Sequence, residues 1–299
     1  MILDRRFSVV ALLGAPNSGK STLINRVVGT KVSIVSPKIQ TTRNRVLGIL
    51  IKDSTQIVFV DTPGIFEPKR RLQRAMVHSA WGSAHDADQV VFVLDSTVGI
   101  TDTTRQSFEI FEAKNIRVTL ALNKIDLVHP SRLLELADFF SSKKICSHIF
   151  MVSALTGDGI VDLVTSVLGC AGNGNWLYPE DQVSDLPPRN LAAEITRESL
   201  FLQLQQELPY SCTVETDSWQ VLKDNSIRIE QTIYVKRSSH KLIVVGRKGS
   251  KIKSVGTAAR GKIERVLGEK VHLFIQVKID KDWGERPEFF RSLGLKYDV

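Results

Sequence analysis

Cysteine is scarce in this chain of 299 residues, with only Cys146, Cys170 and Cys212. Their separations of 24 and 42 residues fit neither a disulfide framework nor a paired zinc-ligand motif, which points to a reduced, cytoplasmic protein. Long apolar runs are missing too, and none approaches the ~18 residues of a membrane span. Arg5 and Arg6 ahead of apolar residues 7–13 have only a superficial likeness to a secretory leader. The stretch is short, and Pro16-Asn17-Ser18-Gly19-Lys20 follows where cleavage would fall, so it reads as a buried first strand. The six histidines, at 78, 85, 129, 148, 240 and 272, show no metal spacing and no nucleophile partner, and are read as structural. There is no internal repeat. Ordinary fractions of hydrophobic (42%) and charged (24%) residues exclude a disordered, collagenous or low-complexity chain.

What is present is a length about twice the ~150 residues of one domain, so two compact domains are expected. Forty Lys and Arg against 32 Asp and Glu give a net charge of +8, which permits a polyanionic partner. The excess is concentrated. Positions 236, 237, 241, 247, 248, 251, 253, 260, 262, 265 and 270 are basic against Glu264 and Glu269, a local net of +9. That stretch holds no Phe, Tyr or Trp, which argues against a base-stacking RNA surface of the RRM or OB kind.

From residue 7 to about 170, short β-branched runs alternate with longer amphipathic ones, the pattern of a mostly parallel sheet covered by helices. Strands are expected at 7–13, 46–52, 56–60, 89–94, 117–122 and 148–152. Asp53-Ser54 between the second and third predicts a hairpin and hence one antiparallel edge. Residues 179–190 (PEDQVSDLPPRN) are acidic, proline-bearing and aperiodic, as a linker would be. After it, Leu191, Ile195, Leu200 and Leu204 carry helical spacing, followed by extended runs at 211–221 and 226–235. The division read from this is a first domain over 1–177, a linker over 178–190 and a second domain with its tail over 191–299.

Gly14-Ala15-Pro16-Asn17-Ser18-Gly19-Lys20-Ser21 matches GxxxxGK(S/T) between a hydrophobic strand and a helix-compatible run, where a phosphate-cradling loop must sit. Lys20 would bind β- and γ-phosphate and Ser21 would ligate Mg²⁺, with Thr22 beside them. Asp61-Thr62-Pro63-Gly64 puts a carboxylate at a strand's end, where it can hold a Mg²⁺ water, and leaves the Gly64 N–H for the γ-phosphate. Asn123-Lys124-Ile125-Asp126 chooses the base. A carboxylate accepts two N–H donors from guanine N1 and N2, which adenine cannot offer. Ser153-Ala154-Leu155 would add backbone support around the guanine oxygen.

With these motifs in series the chain resembles a translation-factor-type GTPase, and GAPNSGKST, QTTRNR and DTPG are similar to the bacterial Era family over nearly the whole chain. The resemblance implies that Gln40-Thr41-Thr42-Arg43 is switch I, with Thr42 completing Mg²⁺ coordination when GTP is bound. It also implies that Asn17 helps hold an activating K⁺ beside the phosphates. Ras-like GTPases carry a water-orienting glutamine where this chain has Ile65, so slow intrinsic hydrolysis is expected, and Ile65→Ala should be mild because it removes no catalytic group. The catalytic set is then Lys20, Thr42, Gly64 and Asn17, and the metal set Ser21, Thr42 and Asp61.

Val244-Val245-Gly246-Arg247-Lys248-Gly249-Ser250-Lys251-Ile252 resembles the VIGxxGxxI core of a KH domain, and the preceding helix and two strands fit the type II order. Such a loop clamps about four single-stranded nucleotides. Gly246, Arg247, Lys248, Gly249, Lys251 and Lys253 are the expected RNA contacts. Residues 242–245 read as strand by propensity, whereas the resemblance makes them a short helix.

The expected fold is an α/β P-loop GTPase domain with a mixed, mostly parallel sheet, followed by an α+β type II KH domain. The resemblance implies binding to the 3′ end of small-subunit ribosomal RNA, a role in small-subunit assembly, and visits to the membrane periphery. A monomer is expected. The rivals are a nucleotide-gated RNA-binding scaffold with incidental GTP hydrolysis, which Ile65 keeps open, and an ATP-dependent RNA enzyme, which Asp126 opposes.

Overall fold

The computed structural model describes residues 5–38 and 41–299. They form two compact units: one runs to Ser33 and takes in Thr42–Asp185 and Leu293–Val299, the other comprises Ile34–Thr41 and Leu186–Ser292.

The first unit is a sheet with helices on both faces. In chain order it holds β1 (Arg6–Leu13), α1 (Lys20–Val28), β2 (Val46–Lys52), β3 (Thr55–Asp61), α2 (Arg71–Asp86), β4 (Gln89–Asp95), α3 (Asp102–Ala113), β5 (Val118–Asn123), α4 (Pro130–Ser141), β6 (Cys146–Val152), α5 (Ile160–Gly169) and a short β7 (Gly172–Asn173). The sheet order is β2-β3-β1-β4-β5-β6, with β7 on β1. Pairing is parallel except at β2/β3 and β1/β7. The antiparallel edge turns at Asp53, whose φ of 53° suits a tight hairpin. Strands β1, β3, β4 and β5 are nearly unbroken apolar runs because both faces are covered. Val10, Leu12, Leu23, Ile24 and Leu163 fill one face. Leu13, Phe92, Phe108, Phe111 and Phe140 fill the other, with Phe92 edge-on to Phe108 and Phe111. The C-terminal strand ends therefore share one rim, where doubly wound sheets bind ligands.

Composition marks residues 178–190 as linker, yet 178–185 are bonded to this unit. Buried Gln56 donates to the Tyr178 carbonyl (2.8 Å) and accepts from the Leu177 and Tyr178 N–H groups. The Ile49 N–H donates to Val183 O (2.9 Å) and Ser184 Oγ to Leu47 O (2.7 Å). These bonds cover the β2 edge, which would otherwise present unpaired backbone groups. The C-terminal stretch 293–299 also belongs here, with the Arg71 guanidinium 4.6 Å from the centre of the Tyr297 ring.

The second unit runs α6 (Pro188–Gln203), β8 (Cys212–Val221), β9 (Ile227–Val235), α7 (Ser238–Val245), α8 (Ser250–Leu267), β10 (Val271–Ile279) and α9 (Pro287–Ser292). Its sheet order is β10-β9-β8, antiparallel at β8/β9 and parallel at β9/β10. This is the α-β-β-α-α-β arrangement of a type II KH domain. Residues 242–245 are helical despite their β-branched content: Val244 is buried with Val255 and Ile233, and Gly246 at φ 73° closes the helix. Packing outweighs a propensity worth only ~1 kcal/mol. Residues 34–41 belong to this unit. Ile34 packs with Ala192, Ile195 and Ile263, the Val35 N–H donates to Glu198 Oε1 (2.9 Å), and Arg197 Nη2 donates to Thr41 O (2.6 Å). Among the described residues, no helix is long and apolar enough to cross a membrane.

Candidate nucleotide site and basic loop

The phosphate loop departs from β1 through two positions that only glycine fits. Gly14 has φ 141°, and a Cβ there would lie 2.2 Å from Val93 O; at Gly19, with φ 102°, it would lie 2.1 Å from Asn123 Nδ2. Asn17 stands exposed between them with φ 64°. The Lys20 ammonium is buried and donates to Gly14 O (3.0 Å) and Ala15 O (2.9 Å). Burial lowers its pKa to about 8, against the pull of the Asp61 carboxylate. A polyphosphate seated in the loop would favour the charged form again. Ser18 is buried, its hydroxyl without a hydrogen-bond partner among the described residues, and Thr22 lies half-buried in the first turn of α1.

Ser21, Thr42 and Asp61 come together. Ser21 Oγ donates to Asp61 Oδ2 (2.6 Å) and lies 2.9 Å from Thr42 Oγ1, which is itself 3.5 Å from Asp61 Oδ2. Ser33 Oγ also donates to Asp61 Oδ2 (2.7 Å), a neighbour that no motif marked. Burial pushes the Asp61 carboxyl up, while the Ser21 hydrogen bond and the Lys20 charge pull it down. Its Oδ1 is buried with no hydrogen-bond partner among the described residues. Hard oxygen donors with one carboxylate and one oxygen left unpaired fit Mg²⁺, which keeps several waters and takes few protein ligands. Ser21 and Thr42 would hold the ion, and Asp61 one of its waters. Thr41 is buried in the other unit's segment, and Gln40 lies outside the described residues.

Gly64 is pressed against this loop, since a Cβ there would sit 2.6 Å from Pro16 N. The Ile65 N–H donates to Gly14 O (3.0 Å), and its side chain turns into the core beside Leu13, Ala80 and Phe92. Position 65 is thus a packing position as well as one without a water-orienting group.

The base-side loops are tied together by Asn123, which is buried, donates through Nδ2 to Ser18 O (2.7 Å) and accepts at Oδ1 from the Ala154 N–H (2.9 Å). Arg26 on α1 bonds the Ala154 and Leu155 carbonyls. Ser153 is buried and accepts at Oγ from the Thr156 N–H (3.1 Å), whereas Leu155 is exposed. The Ala154 N–H is therefore spent on the loop. Lys124, at φ 66°, places Nζ 2.5 Å from Asp95 Oδ2. Asp126 stands exposed in the turn Ile125–Leu127.

In the second unit Gly246 (φ 73°) and Gly249 (φ 77°) bracket a turn with Lys248 at φ 50°. Gly249 also precedes the first turn of α8, so that helix N-terminus opens beside the turn. Arg247, Lys248 and Lys253 are exposed. Lys251 Nζ instead lies 3.4 Å from Gln203 O, at the end of α6, where it complements the helix dipole. Lys262 pairs at 2.8 Å with Glu198, which is 3% exposed.

Residues 9–124 match the family described as 50S ribosome-binding GTPase, and residues 207–284 the KH domain family. The chain is similar to GTPase Era of Brucella suis biovar 1 (strain 1330), 51% identical over 292 residues that cover 98% of this chain and 94% of that one. It is also similar to GTPase Era of Sinorhizobium medicae (strain WSM419), 52% identical with the same coverage. The crystal structure of Era in complex with MgGDPNP and nucleotides 1506–1542 of 16S ribosomal RNA matches with a TM-score of 0.91 at 39% identity, covering 99% of this chain and 100% of that one. A variant of Aquifex aeolicus Era bound to GDP·AlF4⁻ matches with a TM-score of 0.91 at 39% identity, covering 98% and 100%.

Proposed function

The chain belongs to the bacterial Era family of GTPases and hydrolyses GTP, and from that premise we propose that it is a switch on the 3′ end of small-subunit ribosomal RNA, acting in assembly of that subunit. The observation that carries the nucleotide half is the convergence of Ser21, Thr42 and Asp61 beside the buried Lys20 ammonium. Bound Mg²⁺ would neutralise charge between β- and γ-phosphate. The chain's own residues do the rest. Lys20 exchanges the Gly14 and Ala15 carbonyls for phosphate oxygens, Gly64 offers its N–H to the γ-phosphate, and Thr42 brings switch I onto the metal side. Asn17, exposed at the loop, would hold K⁺ where charge develops on the transferring group. Single-turnover hydrolysis should run faster in K⁺ than in Na⁺ at equal ionic strength, and Asn17→Ala should abolish the difference while GDP binding persists. Equal rates in both salts remove the ion from the proposal, and no acceleration by either ion or RNA favours the scaffold reading.

The RNA half rests on the exposed GxxG turn and on what the Era relative binds. Arg247→Asp with Lys248→Asp should reduce the log–log salt slope of single-stranded RNA binding by about 1.4, at about 0.7 per phosphate contact. The matched control is Arg260→Asp with Arg265→Asp, both exposed on α8. Lys262 is unsuitable as a control, because its loss would remove the cation paired with the buried Glu198 carboxylate. Equal losses from the two pairs would mean diffuse electrostatics and end the clamp assignment. The proposal takes the protein as a cytoplasmic monomer whose basic stretch also supports peripheral contact with an anionic membrane surface.

A further inference from the structure

We propose that Asp95 is a specificity-determining positioning residue: by holding Lys124, it keeps the Asp126 carboxylate unengaged for the donors on guanine N1 and N2. The proposal rests on the reading of Asp126 as the guanine acceptor.

Asp95 ends β4 and is in register with Asn123 at the end of β5, so it stands beside the base-reading loop at its root. Its two oxygens are both used. Oδ2 lies 2.5 Å from Lys124 Nζ, and Oδ1 accepts from the Thr97 N–H (3.0 Å) and hydroxyl (2.6 Å). The Asp95 side chain is 13% exposed and that of Lys124 30%, so the pair is sheltered without being sealed from solvent. Partial burial pushes the Asp95 carboxyl up, but the bonds from Lys124 and Thr97 and the lysine's charge hold it below the ordinary carboxylate value. The anion is therefore in place at neutral pH.

Lys124 has a second carboxylate within its sequence neighbourhood. Asp126 is two residues on, exposed in the following turn, and makes no ion pair among the described residues. A lysine ammonium is a point charge on a flexible four-carbon stem and takes whichever carboxylate is near. Released from Asp95, it would settle on Asp126 and occupy lone pairs that the guanine N–H groups need. The left-handed backbone at Lys124 and the Thr97 bonds orient the pair so that the lysine is captured on the β4 side. The chain thus solves a problem inherent in its NKID sequence, where the reading carboxylate and a cation lie two residues apart.

The test is a cycle of Asp95→Asn and Asp126→Ala in the full-length protein, read by GDP and ADP titration at low and high salt. Asparagine keeps an oxygen for Thr97 but offers Lys124 no charge. Asp95→Asn should weaken GDP binding about two- to fivefold at low salt, the equivalent of displacing an exposed ion pair. The loss should shrink at high salt. ADP binding, which does not use Asp126, should be unchanged, and Asp95→Glu should restore GDP binding toward wild type. In the Asp126→Ala background Asp95→Asn should add nothing. An equal loss in that background, an equal loss for ADP, or no loss for GDP in the single variant would overturn the proposal. Should Asp126→Ala alone leave GDP affinity intact, the guanine reading itself fails and takes this inference with it.

Discussion

Ile65→Ala should lower the stability of the first unit by about 2–5 kcal/mol, the cost of truncating a buried isoleucine to alanine. For a unit of this size that is a fall of about 4–20 °C in its melting transition. Ile65 is 6% exposed and packs in the same core as Leu13, Ala80, Ala84, Phe92 and Leu94. Reading position 65 only as the water-orienting slot of other GTPases makes the substitution mild. Tertiary packing reverses that expectation for stability while preserving it for chemistry, because the side chain supplies no polar group to the phosphates. The backbone is fixed independently by the Ile65 N–H bond to Gly14 O, so GDP affinity of the folded variant should stay near wild type. Thermal and urea melts with and without GDP check this. Ile65→Val should cost only about 0.5–1.5 kcal/mol. An Ile65→Ala variant as stable as wild type but slower in hydrolysis would show that the side chain acts on the reaction after all.

Asp126→Ala should weaken GTP binding by about ten- to 150-fold, through loss of charge-assisted hydrogen bonds worth about 1.5–3 kcal/mol. Asp126 is exposed in the turn Ile125–Leu127, while Asn123 and Lys124 are committed to the Ser18 carbonyl, the Ala154 N–H and Asp95. The carboxylate is thus the group of that motif available to read a base edge. Asp126→Asn should shift preference toward xanthine, whose O2 accepts what the new amide donates. Because Asp126 anchors no other loop among the described residues, neither variant should alter melting behaviour. Titration with fluorescent GTP, ATP and XTP measures the preference, and equal affinity of the wild type for ATP and GTP would end the guanine assignment.

Much of the site was legible because its chemistry depends on short stretches of backbone. A phosphate cradle requires glycine where φ is positive and where a Cβ would strike Val93 O or Asn123 Nδ2, and those requirements leave a spaced motif. The same holds for the GxxG turn, while the hairpin turns at Asp53, a residue type that tolerates a positive φ. The alternation of apolar strands with amphipathic helices carried the layered fold, since a strand covered on both faces must be apolar along its length.

The sequence by itself determined the order of the motifs, the fold of each unit and the residue types at the nucleotide site, because these follow from local backbone demands and from hydrophobic period. Only the tertiary structure decided which partner each side chain takes. Asp95 meets Lys124 across 29 residues, Glu198 meets Lys262 across 64, and Arg197 meets the Thr41 carbonyl across 156. It likewise turned Ile65 into the core, drew Lys251 to the end of α6 and bound residues 178–185 to the β2 edge. Such pairings have no local signature. A lysine or glutamate looks the same in sequence whether it faces water or a buried counter-charge, and only the meeting of distant strands and helices supplies the desolvated partner that fixes its role.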